Sequence, residues 1–194
     1  MISSMAGLGS SMKRRALVPA GLLLLWVIGA GCASSAGSSS RIPAAQSPPV
    51  PPKLQPLDDS NASFAVFVTS TVQVADFRVV FERSLGRAGF RVLRAGETST
   101  SSTLTIALIG DGTGTSGSIQ KVSYVKQFNK VDATISIEGR LRGEMRTQSA
   151  YSLVASENEP FDAYNRRVAE AASDAYEYMA VDLTNQLVRW GKKR

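Results

Sequence analysis

Residues 64–93 read FAVFVTSTVQVADFRVVFERSLGRAGFRVL, a strand, a helix and a returning strand in thirty residues. Phe64, Val66 and Val68 alternate with Ala65, Phe67 and Thr69 in a run dense with β-branched and aromatic side chains, which predicts a buried strand. Val74, Phe77, Phe81, Leu85 and Ala88 then recur every three or four residues, with Arg78, Glu82, Arg83 and Arg87 between them. That is the pattern of a helix with one apolar stripe. Gly89 stands where the stripe stops and can take the left-handed backbone that closes a helix. Residues 90–94 supply a short second strand.

Downstream, residues 96–102 read as a polar loop, and Leu104, Ile106 and Leu108 as another alternating strand. The glycine-rich residues 110–117, GDGTGTSG, have the backbone freedom of a phosphate-binding loop. They lack its Gly-Lys-Ser/Thr ending and a following helix, so a flexible turn joining two strands is expected. Apolar alternation on even positions at Val122, Tyr124 and Phe128 changes to odd ones at Val131, Ala133, Ile135 and Ile137, which predicts a bulge or short turn near Asn129. A turn over residues 139–143 and a partner strand over 145–155 follow. Pro160, with Glu157, Glu159 and Asp162 close by, opens a long terminal helix. Its stripe runs from Phe161 and Tyr164 through Met179 and Leu183 to Trp190, with Tyr176 and Tyr178 packing at its margins. The expected order βαββββα is an α+β fold: a mainly antiparallel sheet of four to five strands with two helices packed on one face.

Upstream of this domain, Lys13, Arg14 and Arg15 precede fifteen uncharged residues that contain the run LLLLWVI at 22–28. The run is too short for a spanning helix and ends in small residues, the form of a secretory signal. Gly29-Ala30-Gly31-Cys32 resembles the lipobox of bacterial lipoproteins. The resemblance implies a signal peptide over 1–31 and an acylated Cys32, carrying chains such as palmitate. Ala33 and Ser34 lack the aspartate that retains many such proteins in the inner membrane, which implies the outer membrane. Several acyl chains anchor firmly without a transmembrane segment. Residues 32–57 are rich in Ser, Ala, Gly and Pro, with six of the eight prolines, and read as a disordered tether that contributes nothing to a core. A single periplasmic domain over 58–194 completes the chain.

Composition limits the function. The 194 residues include one cysteine and no histidine, which excludes disulfide frameworks, imidazole bases, Ser-His and Cys-His pairs and nearly every zinc site. Twenty-two Lys and Arg against 16 Asp and Glu give +6, but the leader carries three of those cations, and the remaining +3 does not favour nucleic acid. Paired carboxylates occur only as Asp58-Asp59 and on helix surfaces, so neither an enzyme nor a cofactor is expected.

The helix ending in LGRAGFRV at 85–92, the tyrosine-containing strand over 124–137, the returning YSLVA at 151–155 and the terminal helix resemble two groups of outer-membrane lipoproteins. One is the lipopolysaccharide-assembly (LptE-type) group; the other is the YajG-type group. The resemblance implies a non-catalytic adapter whose partners are the membrane, through its lipid, and an outer-membrane barrel or envelope complex or lipopolysaccharide itself. Arg78, Arg83, Arg87, Arg91 and Arg94 place five cations in seventeen residues, and Lys192, Lys193 and Arg194 end the chain. Both groups are candidate contacts for an anionic surface, since guanidinium binds phosphate and carboxylate in bidentate fashion at any periplasmic pH.

Overall fold

The computed structural model describes residues 42–57 and 64–192. In chain order these form β1 (Ala65–Ser70), a 3-10 turn (Val72–Val74), α1 (Ala75–Ala88), β2 (Arg91–Leu93), β3 (Thr103–Ile119), β4 (Val122–Ile137), β5 (Arg140–Val154) and α2 (Phe161–Gly191). The five strands make one sheet in the order β2-β1-β3-β4-β5. β1 runs parallel to both β2 and β3, because α1 carries the chain back to the start of the sheet. β3, β4 and β5 form the expected antiparallel meander.

Both helices share a core with one face of the sheet. Phe77, Phe81 and Leu85 of α1 and Met179, Ala180, Leu183 and Leu187 of α2 pack with Val66, Val68, Ile106, Leu108, Ala133 and Ile135. Phe77 stacks on Phe81 with centroids 6.1 Å apart and meets the edge of Tyr176 at 5.8 Å. A smaller cluster, Tyr151, Ala171 and Ala175 with Val125 and Leu153, extends the contact along α2, whose small residues let it lie close to the strands. Gly89 closes α1 at φ +103°, and its N–H donates to the Leu85 and Gly86 carbonyls. Between the helices, the buried Thr184 Oγ1 hydrogen-bonds Ser84 Oγ at 2.8 Å.

Three expectations are corrected. First, residues 110–117 are not a turn: they continue β3 and pair residue by residue with β4, Gly110 with Val131 through to Gly117 with Tyr124. The reversal falls at Gln120 and Lys121, whose φ values of 51° and 68° are those of a two-residue hairpin turn. Second, β4 does not break near Asn129. Its odd positions face the helices throughout, from Val125 to Ile137, and its even positions face away, so Tyr124 and Phe128 belong to the helix-free face. The one irregularity lies at Ile135/Ser136, where successive partners Gly143 and Leu141 leave Arg142 as the extra residue.

Third, residues 42–57 are not free of the domain. Gln46 exchanges two backbone hydrogen bonds with Ser152 on the outer edge of β5, both at 2.8 Å. Pairing cannot continue past it because Pro48 has no N–H. The chain then crosses α2, where the buried Asn185 accepts from the Gln55 N–H at 2.8 Å and donates to the Lys53 carbonyl at 3.0 Å. It reaches the end of α1, where the Leu57 N–H donates to the Ala88 carbonyl at 2.7 Å. Low hydrophobicity means the segment builds no core, but these five hydrogen bonds require none. Cys32, Lys193 and Arg194 lie outside the described residues.

Candidate functional site

β1 is the shorter neighbour of β3, and its last rung joins Ser70 to Leu108. The Thr71 N–H donates to the Leu108 carbonyl at 3.2 Å, after which the chain leaves the sheet for the 3-10 turn. Beyond that point β3 projects past α1 and leaves a groove of about 580 Å³ on the helix-bearing face. Thr71, Gln73 and Val74 form one wall, and Tyr176 and Met179 of α2 the other. Gly110, Gly112, Gln127 and Asn129 form the floor.

The glycines make this floor possible. A Cβ at Gly110 would overlap the Val74 side chain, and one at Gly114 would overlap the Gln127 amide. Gln127 Nε2 donates to Asn129 Oδ1 at 2.9 Å, which orients two amides side by side on the floor. The lining is mostly neutral: carboxamides, hydroxyls and backbone beside the apolar Val74, Phe77, Val131 and Met179, with Asp111 and Lys130 also present. Such a set suits binding of a neutral, hydrogen-bonding ligand better than proton transfer. Gln127 and Asn129 escaped the sequence reading, although the change of apolar parity marks the point where polar residues take over the helix-facing positions.

The arginines do not converge on one patch. Arg78 Nε pairs with Glu82 at 2.6 Å, one turn along α1. Arg83 and Arg87 flank a depression of about 80 Å³ between α1 and α2, and there Arg87 meets Glu177 at 3.2 Å. Arg91 and Arg94 are exposed at the two ends of β2, with the Glu97 carboxylate accepting the Arg94 N–H at 3.0 Å. Lys192 is exposed just after α2. The sequence places one acid among the five arginines; the fold adds Glu177 from a distant helix. Exposed pairs of this kind contribute about 0–1 kcal/mol each and leave their cations open to competing anions.

At the other end of the sheet, Arg167 secures the start of α2. Its Nε and Nη2 grip the two carboxylate oxygens of Glu159 at 2.8 and 2.7 Å, and Nη2 also donates to the Val154 carbonyl at 2.9 Å. The guanidinium lies over the Tyr164 ring, 5.9 Å from its centroid. The Arg167 hydrogen bonds, and then the Ser156 N–H, hold the Glu159 carboxyl below its ordinary value. Hydrogen bonds from Lys130 and Arg146 do the same for Asp132 on the helix-free face. Burial raises the Tyr151 and Tyr164 hydroxyls.

A carboxyl lowered on folding adds stability above its unfolded pKa and loses that contribution as pH falls through the folded value. For Glu159 the unfolded reference is 4.5. Arg167→Ala is therefore expected to destabilise the domain at neutral pH, with the gap to the parent narrowing as pH drops below about 4.5. Denaturant melts between pH 7 and 3 check this. A gap that stays constant would assign the effect of Arg167 to the Val154 carbonyl alone.

Among the described residues no group of His, Cys, Asp and Glu is placed to hold a metal ion, and no helix is long and apolar enough to cross a membrane. No protein-family profile matches the chain, and no curated protein matches it. Solved structures with a similar chain path include a minor lipoprotein from Acinetobacter baumannii, with TM-score 0.49, 11% identity, and coverage of 66% of this chain and 94% of that one. Rare lipoprotein B from Shewanella oneidensis gives TM-score 0.46, 10% identity, and coverage of 66% and 96%. Lipoprotein B from Nitrosomonas europaea gives 0.34, 14%, and coverage of 66% and 84%. All three are bacterial lipoproteins.

Proposed function

We propose that this chain is a non-catalytic lipoprotein of the bacterial envelope, anchored through Cys32 to the periplasmic face of the outer membrane, where it acts as an adapter for an envelope assembly. The observation that carries this reading is the order of Lys13-Arg14-Arg15, the apolar run and Gly29-Ala30-Gly31-Cys32. Lipopolysaccharide transport or outer-membrane assembly is its leading concrete form. Arg83 and Arg87, with Lys192, Lys193 and Arg194, supply cations for an acidic partner or for lipopolysaccharide phosphates. The seating of residues 42–57 supports a role close to the membrane. It leaves nine residues between Cys32 and Ile42, and ten Cα steps span at most about 35 Å. A second reading, a YajG-type protein that binds a small ligand, is favoured by the amide-lined groove at Gln127 and Asn129.

Cys32→Ser tests the anchor. The variant is expected to leave the membrane fraction for the soluble periplasmic fraction or to persist as an uncleaved precursor. If it still sediments with outer membrane at high salt without detergent, the lipid is not the attachment.

A further inference from the structure

The stretch of β3 that overhangs β1 reads Ile-Gly-Asp-Gly-Thr-Gly-Thr-Ser-Gly-Ser-Ile over residues 109–119, and it is nearly the same in both directions about Gly114. Reversed, isoleucine falls on isoleucine, threonine on threonine, and small residues on small residues; only Asp111 has no counterpart. Among the described residues this stretch pairs with β4 on one side and with no strand on the other. Residues 111–118 of it are exposed, Gly110 and Ile119 are half-buried, and the edge lacks the prolines and lysines that usually guard such edges. The opposite edge of the sheet is managed differently: β5 carries exposed Arg140, Arg142, Glu144 and Arg146 and is closed at Ser152 by Gln46.

We infer that residues 110–118 of β3 form a homodimer contact, pairing antiparallel with the same strand of a second copy about a two-fold axis at Gly114. The direction of the backbone groups fits this register. The Leu108 carbonyl points toward β1, where it accepts from Thr71, so by the two-residue period of a strand the N–H and C=O of residues 110, 112, 114, 116 and 118 face the open side. With Gly114 opposite itself, Gly110 meets Ser118 and Gly112 meets Ser116, so every outward-facing residue opposes another outward-facing one. All five rungs become hydrogen-bonded pairs of the antiparallel type. The intervening rungs place Thr113 opposite Thr115, a favoured cross-strand pair, and Asp111 opposite Gly117, with no like charges facing. At each end the Ile119 of one copy arrives beside Ile109 and Val72 of the other, two apolar side chains that are 56% and 91% exposed in the single chain. A symmetric contact requires a surface complementary to itself, and the two-way reading of residues 109–119 provides one. This contact does not involve the lipid anchor, and it shares the backbone of Gly110 and Gly112 with the groove floor.

The test uses the detergent-extracted full chain, with the unsubstituted protein controlling for Cys32. Thr113→Cys and Thr115→Cys variants, mixed and oxidised, are expected to form a disulfide-linked dimer. In this register those positions face each other at about 4.5 Å between Cα atoms, inside the range a disulfide accepts. Either variant alone is expected to crosslink far less, since its cysteines sit on a diagonal of about 7–8 Å. Thr113→Lys/Thr115→Lys, which alters only exposed positions, is expected to halve the molar mass by light scattering with an unchanged circular dichroism spectrum. An unsubstituted chain that is monomeric at tens of micromolar would overturn the proposal. So would equal crosslinking by a single variant and by the mixture, or an unchanged mass in the lysine variant.

Discussion

Phe81→Ala is expected to destabilise the domain by about 3–5 kcal/mol, the range for removing a fully buried aromatic ring. Phe81 is 0% exposed at the junction of both helices with β1 and β3, and its ring stacks on Phe77, which in turn holds Tyr176 at the groove wall. Truncation therefore opens a cavity between the two helices and the sheet that these elements cannot fully close. Against a typical stability of about 5–15 kcal/mol, this loss is a large share of the total. Val79→Ala, on the same helix but 56% exposed, is expected to change stability by less than about 0.5 kcal/mol. Denaturant unfolding of residues 42–194 followed by Trp190 fluorescence reports both, since Trp190 is the one tryptophan in that stretch. Equal effects at the two positions would contradict the placement of the core.

Deleting residues 42–57 is expected to cost about 2–3 kcal/mol, since five hydrogen bonds of about 0.5–1.5 kcal/mol each are lost while the ordering entropy of the segment is recovered. Composition argues for no effect, because six of the sixteen residues are proline and the few apolar side chains build no core, the pattern of a free tether. Asn185 separates the two accounts. It is 3% exposed, and two of its hydrogen bonds are to Lys53 and Gln55, so deletion strips both from a buried amide. Asn185→Ala alone is expected to cost about 1–2 kcal/mol in the intact chain and much less in the deleted one. Additive effects in that cycle would mean that the segment and Asn185 stabilise the domain separately.

What could be read from residue order alone follows from the range over which each signal acts. The first helix is legible almost to the residue because Phe77, Phe81 and Leu85 repeat within four positions and Gly89 takes the positive φ that ends it. The glycine-rich half of β3 was hidden because glycine weakens a strand by itself, and its strand state here depends on the neighbouring β4. The apparent parity break in β4 was a real signal attributed to the wrong cause. At Asn129 the strand stays straight while the helix layer on its inner face gives way to the groove. The parallel pairing of β1 with β2 could not be read either, since only three residues of β2 take part. Seating of the proline-rich segment depends on Ser152, Asn185 and Ala88, about 30 to 130 positions away in sequence.

For the functional reading, the cations were legible as a count but not as an arrangement. Helical periodicity places Arg78 and Arg87 on opposite sides of α1, yet the acid facing Arg87 comes from α2, ninety residues later. Gln127 and Asn129 carry no motif and acquire meaning only where β3 outruns β1. The proposed lipid anchor is the reverse case: it rests on the local order of charge, apolar run and cysteine.

The most direct measurement is the intact mass of the protein extracted from membranes with detergent. The account predicts a chain beginning at Cys32 whose mass exceeds that of residues 32–194 by a diacylglyceryl group and an amide-linked acyl chain. A mass equal to the full 194 residues, or to an unmodified chain cut beyond Cys32, would contradict it.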